Sequence, residues 1–284
     1  MVSPNYKIRT LSRDEINIAT DWAASEGWNP GLYDADCFYT ADPEGFLVGE
    51  LNNEPVATIS AVKYGETFGF IGFYIVKPEY RGQGYGMQIW NAGLERLSGR
   101  NVGLDGVVAQ QSNYKKSGFE LAYRNIRYEG GSGGEPVKNP EIINLSQLPF
   151  GVVEAYDQPF FPDNRTLFLK SWLNQPESVA LGVMQKGRLS GYGMIRACRS
   201  GYKIGPLFAD SPELAQSLFV SLKAGVMPGK PIYLDVPEMN QDAVALLAEN
   251  HKMKLVFETA RMYTGIFPDL PLNRLFGVTT FELG

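Results

Sequence analysis

The chain has 284 residues, of which 44% are hydrophobic and 20% are charged, so it can build a substantial core and is not intrinsically disordered. Its formal charge of −5 argues against general binding to nucleic acids or anionic membranes, and no apolar run approaches the roughly 18–20 residues of a membrane span. One histidine and two cysteines exclude a zinc site of the His/Cys type and a disulfide framework, and reduced thiols suit a cytoplasmic protein.

Helices and strands alternate in the first half. Ser12 and Glu15 form a capping box that predicts a helix up to Glu26. The apolar run FGFIGFYIV is typical of a central strand that is buried on both faces. In chain order, we predict a helix at 12–26, strands at 45–50, 55–64 and 68–76, a helix at 87–97, a strand at 102–109, a helix at 112–117 and a strand at 120–128.

A glycine-rich segment then divides the chain. Residues 130–134 read GGSGG and two prolines follow by residue 140, a composition typical of a linker, although a hairpin with a mobile tip is the alternative. The second half resembles the first in weaker form, with predicted strands at 179–185 and 189–198, a helix at 212–224, a strand at 231–236, a helix at 241–250 capped by His251, and a strand at 254–264. We therefore predict a first domain at 1–129, a linker at 130–140 and a second domain at 141–284.

One loop has the composition of an anion-binding site. Between the strand ending at Val76 and the helix starting near Met87, the sequence reads KPEYRGQGYG. Its glycines let several backbone N–H groups point the same way just before a helix N-terminus, and Arg81 adds a positive charge, which favours a phosphate or pyrophosphate. The loop is not a P-loop, because Gly86 is not followed by Lys, and its glycine spacing does not match the dinucleotide fingerprint.

The segment from Arg81 to Gly86 resembles the signature Arg/Gln-x-x-Gly-x-Gly/Ala of the GCN5-related N-acetyltransferase (GNAT) family. A second signature of that family, a short helix with Tyr followed by Gly-Phe, is similar to the segment from Tyr114 to Phe119. The resemblance is good over residues 7–128, and the whole chain more loosely resembles members with a second acetyltransferase-like domain. It implies an α/β fold of two tandem GNAT-like domains, each a mixed, largely antiparallel sheet flanked by helices.

The resemblance also implies acetyl-CoA as co-substrate and no need for a metal ion. Tyr114 falls where the family places the general acid for the departing thiolate, a core tyrosine being the alternative. Val107 stands where many members have Asn, with Gln110 and Asn113 nearby. The backbone of one strand would pair with the pantetheine arm and offer an oxyanion N–H, and the loop would hold the pyrophosphate; these positions are Tyr74, Ile75, Val76, Arg81, Gly82, Gln83, Gly84, Tyr85, Gly86 and Met87.

The base and the acceptor site are less specific. Asp105 is the candidate base, a structural strand-end acid being the alternative, and Glu26 and Asp21 are weaker candidates. The loop after the first helix holds Trp28, Asn29 and Tyr33, which would either line the acceptor pocket or anchor the loop.

The second half lacks the glycine loop. At the corresponding place Pro206 removes a donor and Asp210 would repel a pyrophosphate. We therefore expect a degenerate domain that does not bind CoA and that closes one side of the acceptor pocket.

The preferred hypothesis is that a monomer with paired domains transfers acetyl to the primary amine of a small molecule by direct attack. An acidic pocket would favour polyamines or aminoglycosides, whereas arginines such as Arg124 or Arg261 would favour amino acids. The alternatives are a non-catalytic acyl-CoA-binding regulatory protein and a protein lysine or N-terminal acetyltransferase. The donor could also be a longer acyl-CoA.

Overall fold

The computed structural model describes residues 5–284. Each predicted helix and strand is present, with its ends shifted by a few residues at most. The strands within this range are β1 (Tyr6–Thr10), β2 (Phe46–Leu51), β3 (Glu54–Tyr64), β4 (Phe68–Val76), β5 (Asn101–Val107), β6 (Glu120–Gly131), β7 (Ile142–Asn144), β8 (Ser178–Gln185), β9 (Arg188–Ala197), β10 (Tyr202–Ala209), β11 (Pro231–Pro237), β12 (Lys254–Tyr263) and β13 (Leu275–Gly277).

Helices cover both halves. They are α1 (Ile16–Ser25), α2 (Asp34–Ala41), α3 (Tyr85–Arg96), α4 (Gln111–Lys116), α5 (Phe150–Asp157), α6 (Thr166–Trp172), α7 (Pro212–Ala224) and α8 (Gln241–Ala245). A π-helical turn, Leu246–Asn250, continues α8, and His251 caps it as predicted. Sequence reasoning missed β1, β7, β10, β13, α2, α5 and α6. Across residues 5–284, no helix is long and apolar enough to cross a membrane.

The strands form one continuous sheet in the order β1-β2-β3-β4-β5-β12-β6-β11-β10-β9-β8-β7, with β13 paired to β10. Neighbouring strands are antiparallel except for the pairs β4–β5 and β10–β11, which are parallel. The expected mixed, largely antiparallel sheet flanked by helices is therefore confirmed, with both halves contributing to a single sheet.

The two halves exchange strands. Strand β12 of the second half lies between β5 and β6 of the first, so that Arg261 is opposite both Asp105 and Tyr123. Strand β6 of the first half pairs in turn with β11 of the second. Because β6 continues to Gly131, the start of the predicted linker is part of the sheet, while residues 132–139 form neither helix nor strand. The domain division itself stays a prediction.

Buried ion pairs also join the halves. Asp34 at the start of α2 accepts from Arg196 of β9 at 2.8 Å, and Arg127 of β6 donates to both carboxylate oxygens of Asp235 in β11 at 2.6 and 2.8 Å. All four side chains are at most 4% exposed. Removing one partner of such a pair leaves a buried charge uncompensated and typically costs about 3–5 kcal/mol, so these pairs fix the relative position of the two halves.

Candidate active site

A cleft opens where β4 and β5 separate. Their parallel pairing ends at Ile71 and Leu104. Phe73 then adopts a left-handed backbone with φ of +46°, and the register with β3 shifts at this point. The buried hydroxyl of Thr58 donates to the carbonyl of Phe73 at 2.9 Å and holds this bulge. Beyond it, the edge of β4 that faces β5 has no partner strand among residues 5–284.

The cleft is part of a cavity of about 540 Å³. Most of the predicted site residues line it: Trp28, Tyr74, Ile75, Val76, Arg81, Gly82, Gly84, Gly86, Met87, Asp105 and Tyr114. An unpaired strand edge accepts an extended chain that carries hydrogen-bonding groups, as β-augmentation does with peptides. The amide-bearing arm of an acyl-CoA has this chemistry.

The glycine loop forms one end of the cavity. Gly84 is the N-cap of α3 with φ of +86°, and Gly82 has φ of +75°. The first helical bond runs from the N–H of Gln88 to the carbonyl of Gly84, so the preceding N–H groups of the turn have no helical acceptor. These free donors and the helix dipole favour an anion.

At Gly86, glycine is required by close packing and not by an unusual backbone conformation. A Cβ at this position would lie 2.7 Å from the hydroxyl of Tyr74 and 3.0 Å from Val76, so only glycine lets α3 approach β4 this closely. Two other loop residues, Gln83 and Tyr85, do not line the cavity. The amide of Gln83 donates to the carbonyl of Glu79, and the ring of Tyr85 packs on Tyr6 with centroids 4.9 Å apart.

Arg81 is fixed at the mouth of the cavity. Its Nε donates to the carbonyl of Val76 at 2.8 Å, and its Nη2 pairs with Glu26 at 2.5 Å. The Val76 carbonyl therefore already accepts one hydrogen bond from within the chain. The guanidinium is half exposed and can contribute a positive charge beside the loop.

Tyr114 lies beside the cleft on α4, 9% exposed. Its ring packs on the backbone of Gly106, where a Cβ would overlap it, and lies 5.6 Å from the ring of Trp90. Burial raises the pKa of Tyr114 to about 12, so its hydroxyl keeps its proton at neutral pH. Gln110 also lines the cavity, and the amide of Asn113 donates to it at 2.7 Å.

Asp105 does not have the free carboxylate that a base requires. Its side chain is 0% exposed and accepts from Arg261 at 2.6 and 2.9 Å and from Asn125 at 2.8 Å. Burial raises the pKa of Asp105, and the positive charge of Arg261 opposes that shift. These contacts tie β5 to the exchanged strand β12 and support the alternative of a structural acid over the role of base. Of the weaker candidates, Glu26 pairs with Arg81 and Asp21 with Arg199.

The acceptor loop is only partly in the cavity. Trp28 lines it, but Asn29 and Tyr33 do not. The Asn29 side chain bonds to the backbone of Ser200 in both directions at 2.9 Å, and the Tyr33 hydroxyl donates to Glu177 at 2.9 Å. Both residues therefore anchor the loop to the second half, which was the alternative to a substrate-binding role.

Residues from the C-terminal half complete the cavity, and sequence reasoning missed them. Phe257 and Thr259 come from β12, and Phe281 and Glu282 from the segment after β13. Arg127 lines the cavity as well, and it donates to the Trp28 carbonyl at 2.8 Å. No local motif marks these positions, because the exchange of strands brings them to the site from far along the chain.

In a comparison with known protein families, both halves of the chain match GNAT acetyltransferase models. Residues 13–119 match the model described as "Acetyltransferase (GNAT) family", and residues 153–277 match the model described as "Acetyltransferase (GNAT) domain". The holothin acyltransferase of Pseudoalteromonas sp. (strain SANK 73390) is 31% identical over 277 residues, which are 97% of this chain and 94% of that protein.

Two solved structures share the fold. A putative acetyltransferase from Pyrococcus horikoshii superposes with a TM-score of 0.82 and 24% identity, covering 100% of this chain and 98% of that one. A tandem GNAT protein from the clavulanic acid biosynthesis pathway superposes with a TM-score of 0.63 and 12% identity, covering 93% of this chain and 100% of that one.

Proposed function

Since the chain belongs to the GNAT family of acyltransferases, we propose that it transfers the acetyl group of acetyl-CoA to the primary amine of a small molecule. The observation that carries this proposal is the parting of β4 and β5, with an anion-binding loop at one end of the cleft and a buried, protonated tyrosine beside it. The relative that spans nearly the whole chain is named an acyltransferase, which supports acyl transfer as the reaction.

The residues of the cleft suit direct transfer. The amine nitrogen attacks the thioester carbon, a C–N bond forms, and the C–S bond breaks. A backbone N–H at the bulge near Phe73 would stabilise the developing oxyanion, and the loss of one such donor costs other enzymes about 2.7–4 kcal/mol. Tyr114 would give its proton to the departing sulfur, whose thiol has an ordinary pKa of about 8.5.

The acceptor we propose is a small molecule rather than a protein side chain. The second half and the segment after β13 contribute Phe257, Thr259, Phe281 and Glu282 to the cavity lining, so a bound acceptor would lie between residues of both halves. We also propose that a monomer is the active unit, because each half supplies a strand to the sheet of the other.

The test combines the purified chain with acetyl-CoA and a panel of amines: aromatic amines, amino acids, polyamines, aminoglycosides, a lysine peptide and holothin. Free thiol and product mass are followed together. We expect thiol release that depends on an amine and yields a product carrying one added acetyl group. Binding of acetyl-CoA with no turnover of any amine would instead support the regulatory, non-catalytic alternative.

A further inference from the structure

Three acidic residues line the cavity, and two of them are already paired. Glu26 is bound to Arg81, and Asp105 is bound to Arg261. Glu282 forms no ion pair within the described range 5–284. It is thus the carboxylate of the cavity lining that remains available to a positively charged ligand.

Backbone packing fixes the place of Glu282. It belongs to residues 278–284, which follow β13 and are buried throughout. A Cβ at Gly72 would overlap the carbonyl oxygen of Glu282, so this segment lies directly on β4, one residue before the bulge. The hydroxyl of Tyr64 donates to the carbonyl of Leu283 at 3.1 Å and holds the segment there. Glu282 therefore sits next to the point where β4 leaves β5.

The carboxylate is oriented but not fully used. The Thr280 hydroxyl donates to its Oε2, while its Oε1 has no hydrogen-bond partner among residues 5–284. The residue is 3% exposed. Since Glu282 lines the cavity, this unpaired oxygen is able to accept a hydrogen bond from a charged donor of a ligand.

The charged groups around Glu282 are Arg127, Arg196 and Lys203. The first two are paired with Asp235 and Asp34. Lys203 forms no ion pair with Glu282 in the described part of the chain, and burial lowers the pKa of its ammonium. Arg196 has an Nη1 without a hydrogen-bond partner among residues 5–284, but it does not line the cavity, and Arg127, which does, is held by Asp235 and the Trp28 carbonyl.

The surrounding wall is aromatic. Trp28, Phe257 and Phe281 line this end of the cavity. The guanidinium of Arg127 lies 5.7 Å from the ring centre of Phe257 and 4.9 Å from that of Phe281, so a buried ion pair holds both rings in place. Flat apolar faces beside one carboxylate suit a single amine on a flat apolar body, whereas a polyamine would require several acids.

We infer that Glu282 binds the acceptor amine and takes a proton from it, and that the acceptor is a primary amine on an aromatic or similarly flat apolar group. This inference rests on the proposed acyl transfer. One proton passes from the ammonium to Glu282, and the freed lone pair forms the C–N bond. The C–S bond then breaks, the sulfur receives the proton of Tyr114, and Tyr114 recovers a proton from the nitrogen of the new amide.

The experiment compares the wild-type protein with Glu282→Gln, Glu282→Asp and the exposed control Glu249→Gln. Rates with phenethylamine and with spermidine are measured between pH 6 and 10, and the acetyl-CoA Kd is measured by calorimetry. We expect Glu282→Gln to keep the acetyl-CoA affinity within about twofold and to lose at least about 100-fold in kcat/KM for phenethylamine near pH 7. The loss should shrink as pH rises, because the amine then loses its proton to solvent.

Glu282→Asp should recover part of the rate, Glu249→Gln should match the wild type, and phenethylamine should be preferred to spermidine. If Glu282→Gln does not fold, Thr280→Val replaces it, and the loss of the orienting hydroxyl should raise the KM for the amine several-fold. Wild-type rates in Glu282→Gln, or a wild-type KM for the amine in Thr280→Val where that variant replaces it, would overturn the role of Glu282. A preference for spermidine, or acetylation of neither amine, would overturn the acceptor class. Both results leave acyl-CoA binding intact, whereas a wild-type protein that does not bind acetyl-CoA would overturn the proposed function itself.

Discussion

Each half of the molecule contains a pair of parallel strands that separates, but the two separations differ in what occupies them. In the first half, β4 and β5 part after Ile71 and leave a cavity. In the second half, β10 and β11 part after Ile204, and the short strand β13 fills the gap by pairing with β10. The same architecture thus forms a cavity in one half and a packed core in the other.

Local contacts maintain the filled cleft. The Asn240 side chain donates to the carbonyl of Leu275 at 3.0 Å, and the N–H of Val278 donates to the carbonyl of Asp235 at 2.8 Å. Where the first half has its glycine loop, the second passes from β10 to α7 through Asp210 and Ser211 alone. The cavity thus lies beside the strand edge that stays unpaired among residues 5–284, whereas β13 covers the corresponding edge in the second half.

The largest expected effect concerns the chemistry of the open cleft. Tyr114→Phe should lower kcat by about 10²–10⁴-fold and leave acetyl-CoA affinity unchanged, because only the proton donor is removed. Since burial raises the pKa of Tyr114 to about 12, the wild-type kcat should not fall on the alkaline side between pH 7 and 10. Steady-state rates across that range check both statements.

Tyr156→Phe is the matched control in the second half, where the hydroxyl donates to Asp210 beside the filled cleft. It should leave kcat unchanged. If the Tyr114→Phe protein had the wild-type kcat, Tyr114 would be a core tyrosine and not the general acid.

We expect a smaller effect on acetyl-CoA affinity when one glycine of each half is replaced. Gly84→Ala places a side chain at φ of +86°, which costs about 1–2 kcal/mol, so we expect acetyl-CoA binding to weaken about 5–30-fold. Gly187→Ala, in the β8–β9 turn at φ of +77°, meets the same strain and equally open space. Calorimetry should show normal affinity for this control, and equal weakening in both variants would mean that the loop is not the binding site.

The smallest expected effect concerns the contacts of Asn240 that stabilise the filled cleft. Asn240→Ala removes both the bond to Leu275 and the helix cap that accepts from the Ala243 N–H, so thermal unfolding should reveal a loss of about 1–2 kcal/mol. Turnover should stay at the wild-type level, because β13 takes no part in the open cleft. A fall in kcat without a fall in stability would contradict this separation.

The residues of the site that are contiguous in the chain could be predicted from the sequence. The glycine loop and Tyr114 belong to short segments whose spacing carries the signal, and the structure places them around one cavity. The residues around the acceptor end could not be predicted, because Phe257 and Glu282 reach the first half only through strand exchange and the path of the chain after β13. The pairing of Asp105 could not be predicted for the same reason, since its partner Arg261 lies 156 residues away.

Most of the fold followed from periodicity, and the missed elements were short or carried misleading residues. Strand β10 contains Pro206, which we expected in the connection that corresponds to the glycine loop, and β13 is only three residues long. The continuous sheet could not be deduced, because local patterns define strands but not their partners across two halves.

We propose that the open cleft binds acyl-CoA, while the chain itself fills the other. Calorimetric titration with acetyl-CoA tests it most directly. We predict one equivalent bound per chain, with affinity that is weakened by Gly84→Ala and unchanged by Gly187→Ala. Two equivalents per chain, or one equivalent unaffected by Gly84→Ala, would contradict the account.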